Sequence, residues 1–367
     1  MLRTSLYILL GITFTAIGYT QTAKIEYIAH AAFILESAQG TRILIDPYHS
    51  YNQMGYTFPD GIEVDAVLIT HPHYDHDASK YMSENTPVFR EAGNYQIHDI
   101  SFYGIASNHA FYDRIAASGN QAYNTIWVVA IGGKQFAHLG DNAVPTAEEV
   151  QQLEAVDFII GHPNDEVLAL FPNKTYIPNH YLLPQVTAHT NWMQPIDGWL
   201  EDKDQVTKLE SNIFTLDQEN KAGILLFQPS GKVQEWSVAY YKTLEMIKEA
   251  LTSFRENKDL DTALWVLDKA IASSPQVFEG YLAKARLLAG ENKYDQVIAT
   301  LEKGFTSTTD IDWGREARAH QLLADAYLTL EQKEQAYNHC LWIVRHHRIV
   351  NTKALEAAKA FVDGYKE

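Results

Sequence analysis

The chain has 367 residues, 46% of them hydrophobic, with 12 prolines; this is globular composition, long enough for two or three domains at about 100–200 residues each. A formal net charge of −17 without a dense Lys/Arg cluster excludes a phosphate backbone as an expected partner, so no nucleic-acid function is anticipated. The single cysteine, Cys340, excludes an intramolecular disulfide and reads as a buried apolar residue.

The opening, MLRTSLYILLGITFTAIGYTQTAK, carries Arg3 as a charged flank, an apolar stretch over 6–17, and a small-residue cleavage signal at Ala16-Ile17-Gly18. Residues 1–18 therefore read as a signal peptide, and the protein as exported, periplasmic or secreted. The stretch falls short of the about 20 apolar residues a membrane span needs, so no transmembrane anchor is expected after cleavage. No cysteine follows it to accept a lipid.

From 24 to 240 short strands alternate with turns and a few helices. KIEYI (24–28), AFILES (32–37), RILIDP (42–47), DAVLIT (65–70), IWVVAI (126–131), QFAHL (135–139), DFII (157–160) and GILLF (223–227) are rich in Ile, Val and Phe and bounded by turn residues. ASKYMSEN (78–85) and TAEEVQQLEA (146–155) read as helices, the second with Thr146 and Glu149 as a capping box. The mixture predicts one α/β sandwich domain over 24–240.

Beyond 243 strand signals give way to helix formers with apolar residues at i, i+3, i+4 spacing. ENKDLDTALWVLDKAIASSP (256–275) stacks on ENKYDQVIATLEKGFTSTTD (291–310) with a 34-residue offset, so that Ala263, Leu267 and Ala270 align with Val297, Leu301 and Gly304. EQKEQAYNHCLWIVRHH (331–347) follows after an added loop around 309–313. This resembles the tetratricopeptide repeat, although Leu251 stands where a small residue is usual. Residues 243–367 then form an all-α repeat domain, either a platform for a protein partner or self-association, or a helical cap closing the sandwich. His339, His346 and His347 lie among its helices and read as solvated.

The chemistry concentrates in LITHPHYDHDA (68–78), where three histidines and two aspartates follow a buried strand. Imidazole and carboxylate suit a borderline divalent ion, which needs about four ligands. In an extended or turning segment His71 and His73 can reach one ion while Asp75 and His76 turn to another. The remaining ligands must come from other strand ends, where His109, Asp141 and His180 stand.

This H-x-H-x-D-H pattern with separated His, Asp and His resembles the metallo-β-lactamase superfamily over about 24–230. The resemblance implies an αββα four-layer sandwich. It also implies two divalent ions, zinc by default with manganese or iron possible. His71, His73 and His109 would hold the first ion; Asp75, His76 and His180 the second; Asp141 would bridge. YIAHAAFILE followed by ILIDP looks like the branch related to ascorbate-6-phosphate lactonase and N-acyl-phosphatidylethanolamine phospholipase D, which implies His30 and Asp46 near the metals. Asp141 argues against a true β-lactamase. Ala29, Asp77 and the histidine of GHPNDE (161–166) depart from that branch, which leaves the substrate open.

Taken alone, His30 stands open between a group beside the metals and plain core, and His138 between orienting Asp141 and a hydrogen-bonded strand residue. His162 is open between a substrate contact and an ordinary strand end. Tyr48, Tyr51, Tyr56, Phe58, Phe111 and Tyr112 either line an apolar pocket or pack their loops. The expected function is metal-dependent hydrolysis of an ester, lactone, amide or phosphodiester in a small-molecule or lipid-like substrate by a metal-held hydroxide. Asp75 would orient the nucleophile and His180 stabilise charge, as catalytic residues. The alternative is a non-catalytic, metal-containing binding or scaffold protein acting through its repeats.

Overall fold

The computed structural model describes residues 22–50, 56–110, 124–183, 193–217, 222–233, 237–308, 310–346 and 352–365. The signal-peptide reading over 1–18, with Tyr51, Phe111, Tyr112 and His347, lies outside them. One sheet runs in the order Ile213–Thr215 (β14), Lys24–Ala29 (β1), Ala32–Glu36 (β2), Arg42–Ile45 (β3), Ala66–Leu68 (β5), Val88–Phe89 (β6). The second runs Val206–Lys208 (β13), Gly223–Leu226 (β15), Thr175–Pro178 (β12), Phe158–Gly161 (β11), Lys134–His138 (β10), Asn124–Ile131 (β9), Ile100–Ser107 (β8), Gly93–Ile97 (β7). Tyr56–Thr57 (β4) and Lys232–Val233 (β16) pair separately. Mixed α/β sheets followed by an all-helical region match the expected fold class.

A single apolar core joins the inner faces of the two large sheets. Strands covered on both faces carry near-continuous apolar runs: β2 is buried at every position, and β9 at all but Ala130. Phe136 stacks on Phe158 at 4.4 Å, and Tyr27 on Phe33 at 4.7 Å. Trp127 is fully buried, and its indole donates to the Ile69 carbonyl at 2.9 Å. That bond ties β9 to the chain just before His71, as does Thr125 N–H to the Thr70 carbonyl at 2.8 Å. The metal-ligand motif is thus pinned from the opposite sheet.

All eight expected strands are present. The hairpin β7–β8 was not expected, because β8 is half-exposed and includes Ser101, Gly104 and Ser107 rather than a run of branched residues. The helix expected over 78–85 is only a 3-10 turn at Ser79–Tyr81. Asp77 explains why: its carboxylate accepts from Ser79 Oγ at 2.6 Å and from Arg90 Nε at 2.9 Å, which fastens the turn to Arg90 and breaks the helical path. Helix α1 (Ala147–Gln152) has the expected capping box of Thr146 and Glu149. Asp165–Leu170 (α2) and Ile196–Leu200 (α3) complete the helices of this part among the described residues.

Seven helices follow: Ser237–Asn257 (α4), Leu260–Ser273 (α5), Phe278–Gly290 (α6), Tyr294–Ser307 (α7), Trp313–Thr329 (α8), Lys333–Arg345 (α9) and Thr352–Tyr365 (α10). Ala263, Leu267, Ala270, Val297 and Leu301 are buried where the sequence pattern places them. Gly304 lets helices cross closely, since a Cβ there would lie 2.9 Å from Phe278 Cε2 and 3.0 Å from Tyr281 Cβ. Cys340 is buried, and burial pushes its thiol up to about 11. The solvated reading fails for His339 and His346. His339 stacks on Tyr327, and His346 stacks on Trp342 at 4.0 Å and on Trp313 at 5.2 Å, because α8 and α9 pack face to face.

The segment between α7 and α8 docks on the sandwich. Asp310 is buried and accepts hydrogen bonds from His49 Nδ1 and Tyr81 Oη. Lys80 pairs with Glu316 at 3.5 Å and lies over the Trp313 ring at 5.2 Å.

Candidate metal centre

Six chain segments deliver the polar cluster. The turn after β1 brings His30, and the segment after β5 brings His71, His73, Asp75 and His76. The ends of β8 and β10 bring His109 and Asp141, and the ends of β11 and β12 bring His162 and His180. His30 (φ 56°), Asp46 (φ 50°) and His180 (φ 55°) all hold left-handed backbone, unusual for residues with a Cβ and typical of sites whose surroundings enforce it. Backbone bonds lock the crossings together: His180 N–H donates to the His30 carbonyl at 2.9 Å, and Ala110 N–H to the Asp141 carbonyl at 2.8 Å. Gly140 is required beside Asp141, because its φ is +59° and a Cβ would come within 2.5 Å of Asn124 Oδ1.

Three groups of ligand atoms result, each within 4.8 Å: His71, His73, His109 and Asp141; His30, Asp75, His76 and His180; and Asp141, His162 and His180. Asp141 links the first and the third. Its Oδ2 faces His109 Nε2 at 3.4 Å and His71 Nε2 at 3.7 Å, while Oδ1 faces His162 Nε2 at 2.8 Å, His76 Nε2 at 3.1 Å and His180 Nε2 at 3.6 Å. Asp75 Oδ2 lies 3.1 Å from His30 Nε2 and 3.3 Å from His180 Nε2. All seven residues singled out in the sequence come together, with His30 and His162 added.

The next layer fixes ring orientation. Asp46 accepts from Thr70 N–H at 2.8 Å, Thr70 Oγ1 at 2.7 Å and His76 Nδ1 at 2.7 Å. Thr70 Oγ1 thereby gives its proton to Asp46 and accepts from His71 Nδ1 at 3.1 Å. Both imidazoles are left with Nε2 turned toward Asp141. Carboxylate–imidazole pairs of this kind orient metal-ligating histidines.

Electrostatics suits a cation. Burial, reinforced by neighbouring imidazoles, holds His71 well below its ordinary value; burial also lowers His73 and His162, and takes His30 to about 3. These rings are neutral near pH 7, the ligand form. Burial works against ionising Asp75 and Asp141, yet the surrounding histidines, His76 foremost, keep both carboxyls well below their ordinary value. Burial likewise opposes charge on His76, but Asp141, Asp46 and Asp75 push it well above the usual imidazole range. The residues therefore fit a divalent ion: His71 Nε2 lies 3.0 Å from His73 Nδ1 and 3.7 Å from Asp141 Oδ2, so neutral imidazole nitrogens and an ionised carboxylate converge as a donor set that a shared cation would join.

His138 is not among these groups. Its Nε2 donates to the Ala31 carbonyl at 2.8 Å and its Nδ1 accepts from Gly140 N–H at 3.1 Å, so it holds the turn that carries Asp141. Tyr48 and Phe58 pack against each other at 5.3 Å, and the Tyr48 hydroxyl donates to the Thr57 carbonyl, so these two aromatics fasten their loop. His162 was hinted at only by its place at a strand end; its stacking on His180 at 4.2 Å depends on two strands meeting.

Residues 24–165 match the family model described as "Beta-lactamase superfamily domain". A "UPF0173 metal-dependent hydrolase" of Thermococcus onnurineus is 28% identical over 144 residues, covering 33% of this chain and 62% of that protein. One from Aeropyrum pernix is 35% identical over 116 residues, covering 30% of this chain and 44% of that protein. The chain thus spans less than two thirds of the length of these relatives. Among solved structures, the metallo-beta-lactamase fold protein YhfI from Bacillus subtilis aligns at 10% identity over 44% of this chain and 86% of its own, with a TM-score of 0.33.

Proposed function

We propose that the protein, whose residues 24–165 match a beta-lactamase superfamily domain model, is an exported metal-dependent hydrolase of the metallo-beta-lactamase superfamily working with two divalent ions, zinc first. His71, His73 and His109 would hold one ion and Asp75, His76 and His180 the other, with Asp141 between them. The observation that carries this reading is Asp141, whose two carboxylate oxygens face two different sets of imidazoles. His30 and His162 extend the set, His30 through Asp75 and His162 through Asp141.

Bound ions of this kind supply Lewis acidity to water and to a substrate oxygen at neutral pH. The chain's own groups do the rest. Asp75, ionised and held by His30 and His180, is placed to orient a nucleophile and take its proton. His180 stands between Asp75 and Asp141 and beside a cavity of about 450 Å³ that is also lined by His162, Tyr181 and Trp199. The substrate is an ester, lactone, amide or phosphodiester of small-molecule or lipid-like character. In this reading residues 1–18 direct export, the helices form a tetratricopeptide-like array, and the hydrolase resembles the lactonase and phospholipase branch.

Elemental analysis of the purified chain and of Asp75→Ala, with both assayed on p-nitrophenyl esters and bis-p-nitrophenyl phosphate, tests this. About two metals per chain and turnover that collapses in the variant are expected. A metal-free protein overturns the site; bound metal without turnover favours the binding-protein alternative.

A further inference from the structure

A cavity of about 830 Å³ lies between the 71–76 motif and the helical region. Pro72, His73 and Tyr74 form one wall, and helices α4, α6 and α8 form the other. Arg255, Lys258, Arg286, Arg315 and Arg318 project into this wall against only two carboxylates, Glu279 and Asp312. Both carboxylates are spoken for: Arg315 pairs with Glu279 at 2.7 Å and with Asp312, and its guanidinium sits 5.5 Å from the Tyr74 ring.

That leaves an excess of positive charge in one concavity of a chain with net charge −17. Arg286 and Arg318, from α6 and α8, form no ion pair among the described residues, and they are close enough to repel each other. Partial burial first, then Arg315 and, more weakly, Arg286 hold the Arg318 guanidinium below its ordinary value, against an opposing pull from Asp312. Like charges gathered in a partly desolvated wall cost free energy unless an anion joins them. Beside them Ile247, Leu251, Phe254, Leu282 and Leu287 present an apolar surface. His73, a member of the metal group, closes the far side.

We propose that the helical region completes the active site, and that this cavity takes a substrate with an anionic head, phosphate or carboxylate, and an apolar body. Guanidinium forks from α6 and α8 grip the head, as suits planar bidentate recognition. The apolar body lies along α4 and α6, and the scissile group reaches the metal centre past His73. This deepens the hydrolase reading and rests on it for the chemistry, but not for the binding.

The test is calorimetric titration of the full metal-containing chain with octyl phosphate and with octanoate. In R286Q/R318Q the dissociation constant for the preferred anion should rise at least about tenfold, a loss of two charge-assisted contacts. R286K/R318K, which keeps the charge and loses the planar fork, should recover only part of it, and Lys242→Gln, exposed on α4 outside this wall, should match wild type. Circular dichroism melts and metal content establish that each variant is folded and loaded. Failure of both amphiphiles to bind, or equal binding by wild type and R286Q/R318Q, overturns the proposal. Octyl phosphate alone selects phosphate as the head, octanoate alone carboxylate. Absence of any hydrolysis by wild type sinks the hydrolase reading instead, and leaves the binding result standing.

Discussion

Asp46 orients the candidate metal ligands without joining any of their groups. It receives Thr70 twice and His76 once, and through Thr70 it also sets the His71 ring. Asp46→Ala should therefore weaken metal binding by about 10–100-fold, the usual cost of losing such an orienting partner, read by competition against a chromogenic chelator. Gly140→Ala should cost about 1–3 kcal/mol and displace Asp141, through left-handed strain and contact with Asn124 and Thr70; denaturant melts and metal content check both effects. The seven candidate residues were legible because their spacing and their positions after apolar runs are local properties. His30 was expected near them only through the family resemblance, and His162 stood open, since a lone histidine at a strand end is ordinary until the strand beside it is known. Their contacts with Asp75 and Asp141 cross 45 and 21 residues of sequence.

The elements carry the site through their packing. Trp127 fills the core and holds the Ile69 carbonyl, so Trp127→Ala should destabilise by about 3–5 kcal/mol and lower metal content as the 68–78 segment loosens. Leu301→Ala, buried on α7, should cost about 2–5 kcal/mol in urea unfolding and leave metal content unchanged. Most strands covered on both faces were readable, because burial favours continuous Ile, Val and Phe; β12, buried at every position but short and ending in Pro178, was not. The β7–β8 hairpin escaped because a half-exposed edge tolerates Gly and Ser. The expected helix over 78–85 failed for a tertiary reason: Arg90 captures Asp77 and fixes the turn.

For the molecule as a whole, Asp310 is the fastener between sandwich and helices. Asp310→Ala leaves His49 and Tyr81 buried without that acceptor, at about 3–5 kcal/mol, and should split one thermal transition into two in calorimetry. Burial opposes ionisation of Asp310, yet hydrogen bonds from His49 and Tyr81 hold its carboxyl below the ordinary value. Its contribution is thus complete above the unfolded value of about 4 and disappears as pH falls through the lower folded one. Docking should persist down to mildly acidic pH and fail only under stronger acid, a profile that Asp310→Ala abolishes.

Sequence periodicity and spacing were enough for the α/β class, the helical C-terminal region and the candidate residues that cluster, because each shows in short local patterns along the chain. The inward aim of His71 and His76, the recruitment of His30 and His162, and the basic cavity facing His73 were settled by folding alone. Those features arise where segments distant in the chain meet, and the energies that fix them, buried charge pairing and close packing, exist only once water has been excluded from between them.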